Sequence, residues 1–115
     1  MFLVPKVTHE LPLLRVLSRT SYDNEIGQMI ASDPPGKAMK VRLGRWIMLC
    51  RELSISQQGK LLIPKELCER AGLAAESDVM LVGRWDHFEI WNVENFDRAR
   101  EIESRGLPAN DLGSL

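Results

Sequence analysis

The chain has 115 residues, an apolar share of 44% and a net charge of −1. That is enough for one domain with a modest core, and the near-neutral balance by itself points to no class of partner. It contains no apolar run long enough to span a membrane, and its start, "MFLVPKVTHE", is not a secretory signal, because Pro5 breaks a short apolar opening and no cleavage pattern follows.

Charge is unevenly spread. Between Gly36 and Lys60 the bases Lys37, Lys40, Arg42, Arg45, Arg51 and Lys60 stand against Glu52 alone, while acids outnumber bases from Leu61 onward. A basic middle beside an acidic end creates a local positive field without a basic isoelectric point. Cys50 and Cys68 form no CxxC or Cys/His cluster and sit in apolar patterns, which predicts buried free thiols in a reducing cytoplasm.

In chain order, "LPLLRVLSR" places Leu11, Leu14 and Leu17 at helical spacing, with Pro12 tolerable near a helix start. "SYDNEIGQMIAS" reads as a second short helix. Residues 1–31 show no copy of the pattern found later and are left as a segment of uncertain structure. Residues 32–50 open with Ser32 or Asp33 as a cap and Pro34 at the first helical position. Met39, Leu43, Trp46, Ile47 and Cys50 share one face of that helix, and the basic residues lie around the rest of it. Such a basic face is more often simply hydrated than a grip for nucleic acid.

Residues 51–92 read as strand, strand, helix, strand, strand. "CRELSIS" alternates, with Leu53 and Ile55 pointing one way. "QQGK" is a turn in which Gly59 is free to take positive φ, and "KLLI" is the return strand. Pro64 ends that strand and starts a helix with Leu67, Cys68 and Ala71 inward. Gly72 and Leu73 supply a Schellman ending. "VMLVG" and "HFEIW" flank the turn "RWD", with Val79 and Leu81 on one face and Phe88 and Ile90 on one face of the partner strand. Residues 93–115 form a last helix capped by Asn92, with Val93, Phe96, Ala99 and Ile102 inward, stopping near Gly106 before a loose tail.

Two hairpins joined by a short helix bury little alone and leave open edges. Interleaving with a second copy closes such a unit, so a dimer or larger homo-oligomer is expected. The paired turns of a dimer then present basic residues to DNA phosphates.

"QQGKLLIPKELCERAGL" followed by "VMLVGRWDHFEIW" resembles the swapped-hairpin fold of the AbrB type, and within it the second repeat of the MraZ family of DNA-binding regulators of division and cell-wall genes. The resemblance runs from about Glu52 to Phe96, and "DPPGKAMKVRLGRW" resembles the helix joining the two MraZ repeats. It implies an α+β barrel completed by dimerisation, double-stranded DNA as partner, ring-like assembly and a cytoplasmic, nucleoid-associated protein. It implies DNA contact through Lys60 and Lys65, with Ser56, Arg51 and Arg70 nearby.

The sequence departs from the family in three ways. One repeat is recognisable and the first is eroded or absent. The family's Asp-x-x-x-Arg at the first turn is Ser56-Gln57-Gln58-Gly59-Lys60 here, and Cys68 stands where AbrB-like proteins usually place arginine. Lysine meets a phosphate as a point charge without arginine's fork. The alternative is therefore an oligomerisation or protein-interaction module, antitoxin-like included, that has lost sequence-specific DNA binding. Ordinary solvation is the bland fate of Lys60 and Lys65. Trp46 and Trp91 read as packing residues, and Trp85, in a turn, as an interface anchor. His9 and His87 belong to no catalytic arrangement, and no phosphate loop or metal-ligand spacing appears, so neither an enzyme, a cofactor nor a small-molecule substrate is expected.

Overall fold

Residues 1–17, in which Leu11, Leu14 and Leu17 stand at helical spacing, form a β-hairpin. In the computed structural model, which describes residues 1–32, 36–53 and 55–105, Phe2–Thr8 is strand β1 and Leu11–Leu17 is strand β2. The turn is His9-Glu10, both at positive φ (52° and 63°), the backbone of a tight two-residue hairpin. The helical reading fails for a physical reason. Leu13 through Leu17 are all buried because β2 lies mid-sheet with both faces covered, and a two-sided strand has no alternation to reveal it. Pro12 sits at the start of β2, where a strand tolerates it.

Helix α1, Arg19–Ser32, follows as expected. Ser18 caps it, its Oγ accepting the Ser21 N–H at 3.1 Å. Helix α2 is Lys37–Leu49, preceded by Gly36. Ser32 closes α1 instead of capping α2, and Asp33 and Pro34 lie outside the described residues. Leu43, Trp46 and Cys50 turn inward from α2 and its end, whereas Ile47 is exposed, contrary to its place on the expected inner face.

The anticipated first hairpin is much reduced. Strand β3 is only Arg51–Glu52, and beyond it a single bridge joins Ile55 to Leu61. Ile55 and Leu62 are exposed, so "KLLI" is no full strand. Leu61 and Ile63 turn to the core while Ile55 and Leu62 face outward, and a two-stranded ribbon alone gains little by pairing further. Leu53, by contrast, is buried, and its N–H bonds the Met1 carbonyl at 2.7 Å.

Helix α3, Lys65–Ala71, begins directly after Pro64 and buries Leu67 and Ala71. Gly72 is left-handed (φ 70°, ψ 30°), and the Gly72 and Leu73 N–H groups bond Glu69 O at 3.2 Å and Cys68 O at 2.8 Å, the Schellman pair. Strands β4, Val79–Gly83, and β5, Phe88–Asn92, form the second hairpin, and helix α4 is Val93–Arg105. Asn92 serves two helices. Its Oδ1 accepts the Asn95 N–H at 3.1 Å and its Nδ2 donates to Gly72 O at 2.9 Å.

The five strands make one antiparallel sheet in the order β3-β1-β2-β5-β4. One face carries α3 over Leu3, Leu14, Val16, Leu53 and Ile90. The other carries two clusters. Phe2, Val4, Leu17 and Cys50 pack with Tyr22 and Trp46 of α1 and α2, and Leu13 and Trp91 pack with Phe96 and Ala99 of α4. The outcome is an α+β fold within one chain. The N-terminal hairpin joins the second hairpin in the same sheet through β2 and β5.

Gly72 gives a direct test. An added Cβ would meet only Asn95 Nδ2 at 3.8 Å, so there is room, and the cost is the left-handed backbone alone. Gly72→Ala should lower unfolding free energy by about 1–2 kcal/mol, with Gly72→Asn less affected, as read by urea denaturation.

Candidate nucleic-acid interface

The turn after β3 is built by its own side chains. Ser56 N–H bonds Lys60 O at 3.0 Å, Gly59 N–H bonds Ser56 O at 2.9 Å, and Gly59 takes φ 75°. Ser56 Oγ accepts the Lys60 N–H at 3.0 Å, so this hydroxyl shapes the turn. Gln57, Gln58 and Lys60 are exposed.

The remaining basic candidates gather along α3. Arg51 Nη2 bonds Glu66 Oε2 at 3.2 Å, and Arg70 Nε lies 3.8 Å from Glu66 Oε1. Arg51 Nη1 also donates to Met48 O at 2.5 Å and Cys50 O at 3.0 Å, closing the end of α2, where free carbonyls favour a cation. Lys65 Nζ is 4.0 Å from Glu69. Arg51 and Arg70 are thus brought together through Glu66, and Lys65 has its own carboxylate. Lys60 alone of the four basic candidates has no ion pair among the described residues. Cys68 packs partly buried against the core, its Sγ 3.8 Å from Ile63 O.

Sequence reasoning missed a polar cluster across the sheet. Arg15 and Glu89, both buried, face each other between β2 and β5. Each has partners on its own side, although the buried Arg15 Nε has no hydrogen-bond partner among the described residues. Arg15 donates two hydrogen bonds to Glu25 of α1, at 2.5 and 2.9 Å. Glu89 accepts from Arg84 Nε at 2.8 Å and Trp91 Nε1 at 3.0 Å, and lies 3.2 Å from His87 Nε2. His87 Nδ1 lies 2.7 Å from Asp86, whose backbone carbonyl accepts the Ser21 hydroxyl at 3.2 Å. The one sequence signal was an acid at an inward strand position, Glu89 among Phe88, Ile90 and Trp91. Burial raises the Glu89 pKa, but the bonds from Arg84, Trp91 and His87 outweigh it and hold the carboxyl below its ordinary range. Asp86 is likewise lowered, chiefly by its bond to His87.

Burial pushes the Cys50 thiol up to about 11, against a smaller opposing pull from Arg15. Trp85 is fully exposed at the tip of the β4–β5 turn. Among the described residues no group of His, Cys, Asp and Glu could hold a metal ion, and no helix is long and apolar enough to cross a membrane.

Fold and surface together define a small α+β domain that presents a glycine turn carrying Lys60 ahead of a helix opened by Pro64. Residues 50–106 match the family model described as "MraZ protein, putative antitoxin-like". Proteins named transcriptional regulator MraZ are similar to this chain. That of Desulforapulum autotrophicum is 38% identical over 61 residues, covering 53% of this chain and 40% of the relative. That of Desulfosudis oleivorans is 34% identical over 85 residues, covering 74% and 53%. That of Coxiella burnetii is 44% identical over 50 residues, covering 44% and 32%. The chain belongs to the MraZ family. Its matches span about half the length of these relatives or less.

Two outcomes follow from this chemistry. The Glu89 carboxyl is depressed in the folded state, so its stabilisation is complete above the ordinary carboxylate value of 4.5 and is lost as pH falls through the folded value. Glu89→Gln should destabilise the protein at neutral pH, with the gap to the parent closing in acid, as followed by urea unfolding across pH. In native protein at neutral pH, Cys50 should react with a thiol reagent far more slowly than Cys68, with both equal once unfolded, as read by mass spectrometry.

Proposed function

We infer that this chain is a transcriptional regulator that binds duplex DNA through the turn at Ser56–Lys60 and the start of α3. The observation that carries this reading is Lys60, an exposed lysine without an ion pair among the described residues, on a turn braced by Ser56 and Gly59, in a chain similar to proteins named transcriptional regulators. Lys65, Arg51 and Arg70 stand behind it as a second rank. Their carboxylate partners Glu66 and Glu69 are exposed, so a phosphate can compete for these cations at little cost. On this reading residues 51–92 act as a swapped-hairpin module. Several copies in a dimer or ring multiply weak contacts by avidity, and the protein works at the nucleoid.

A second reading is favoured by the same geometry. Ser56 is spent inside the turn, Glu66 pairs with both Arg51 and Arg70, and Cys68 packs partly buried against the core, which suits an oligomerisation or protein-interaction module, antitoxin-like included, without sequence readout.

A salt-titrated binding measurement on duplex from the chain's own promoter region separates the two. Under the first reading Lys60→Ala weakens binding across sequences and reduces the salt slope by about 1. Absence of preference over a scrambled duplex at low salt refutes it. Under the second, Ser56→Asp combined with Lys60→Arg and Cys68→Arg gains DNA binding that the parent lacks.

A further inference from the structure

The turn after β3 carries two glutamines at its tip. Ser56 O accepts the Gly59 N–H at 2.9 Å, so Gln57 and Gln58 are the central residues of a β-turn. Gly59 follows at φ 75°, and the Ile55–Leu61 bridge lies behind it. This is the three-residue hairpin loop that a left-handed residue completes. The glutamine side chains do not hold it. The loop is closed by the backbone of Ser56 and Lys60 and by Ser56 Oγ. Both glutamines are exposed, and their carboxamides have no hydrogen-bond partner among the described residues.

The chemistry of the five turn residues divides cleanly. Ser56 has its hydroxyl and its carbonyl engaged inside the turn, and Gly59 has no side chain. Lys60 stands at the base of the loop as a point charge suited to phosphate. A glutamine carboxamide carries a donor and an acceptor side by side. In the major groove adenine offers the matching pair, N7 as acceptor and the N6 amino group as donor, and glutamine meets both at once. Guanine presents two acceptors there, and cytosine a donor. That groove is about 12 Å wide and admits a two-stranded ribbon. The chain around Ile55–Leu61 is such a ribbon, and it ends in this tip. No acidic residue occurs between Leu53 and Lys65, so nothing on the ribbon repels the phosphates on either side.

Resting on the duplex-binding role inferred above, we propose that Gln57 and Gln58 read adenine in the major groove while Lys60 holds a phosphate beside it. Affinity and sequence preference then reside in different side chains of one turn. Lys60 supplies a contact common to all sequences, and the glutamines supply the difference between sequences. The target class is duplex with adenine at the positions that the tip faces. This readout requires neither a carboxylate at Ser56 nor an arginine at Lys60 or Cys68. Those three departures from the family pattern therefore weaken the grip and leave the preference in place.

The test uses the full chain and a randomised duplex pool, from which bound sequences are recovered and counted. The parent should enrich adenine in its site. Gln57→Ala combined with Gln58→Ala should lose at least about fivefold of that enrichment and keep the salt slope. Lys60→Ala should keep the adenine and lose about 1 from the slope. Gln57→Glu or Gln58→Glu should move the preference from adenine toward cytosine, whose amino group a carboxylate accepts. In the selected site, 7-deazaadenine, which lacks the N7 acceptor, should weaken the parent and leave the double alanine variant unaffected. Both side chains lie outside the hydrogen bonds of the turn, so the variants should keep the parent's circular dichroism. An unchanged preference in the double alanine variant overturns the proposal and leaves the duplex-binding reading standing. So does a selected site without adenine, a guanine preference that Lys60→Ala removes included. Binding without preference, or none at low salt, overturns the proposal together with that reading.

Discussion

The pairing of β2 with β5 holds this structure together. Each hairpin alone is a two-stranded ribbon with marginal stability, and joining them at Leu14–Ile90, Arg15–Glu89 and Val16–Phe88 makes a sheet broad enough to carry a helix layer on each face. All three apolar clusters include residues of β2, and two include residues of β5. At the centre of the pairing lie two buried charges of opposite sign, each with its own hydrogen-bond partners. Glu25 of α1 holds Arg15, while Arg84, His87 and Trp91 hold Glu89. A buried charge left unpaired costs several kcal/mol, so this arrangement commits α1 and the β4–β5 turn to one position on the sheet.

That commitment places the candidate interface. α3 lies over β1 and β2, fixed by Leu67 and Ala71 beneath it and by the Schellman ending, which Asn92 links to the start of α4. Among the described residues, the turn at Ser56–Lys60 is held by the Ile55–Leu61 bridge and its own hydrogen bonds. The result is a helix packed on the core beside a turn that carries the exposed Lys60. Its charge is moderated by Glu66, which pairs with Arg51 and Arg70, and by Glu69, which lies beside Lys65.

Features governed by neighbours in sequence were legible. Pro64, Gly72 and Asn92 each act within a few residues, through a fixed φ, a left-handed backbone and a short side-chain acceptor, and α3, its ending and the α4 cap stand where those residues put them. The β4–β5 hairpin was likewise visible. Its faces were not. Phe88 and Ile90 share a face as alternation requires, yet Ile90 is buried under α3 and Phe88 is exposed, because only one half of that face is covered. Residues 1–17 misled because β2 is buried on both sides. The site was half legible. Lys60 and its turn could be named from sequence, but the pairing of Arg51 and Arg70 with Glu66 joins β3 to α3 and has no local signature.

By itself the sequence determined the turns, the caps, the proline-opened helix and the resemblance to MraZ, since each depends on backbone preferences and side chains only a few positions apart. The tertiary structure alone decided that the N-terminal residues are strands, that Arg15 and Glu89 meet across the β2–β5 pairing, and that Ile90 lies covered while Phe88 lies bare. These outcomes depend on contacts between residues far apart in the chain, where burial, not local preference, sets the free energy.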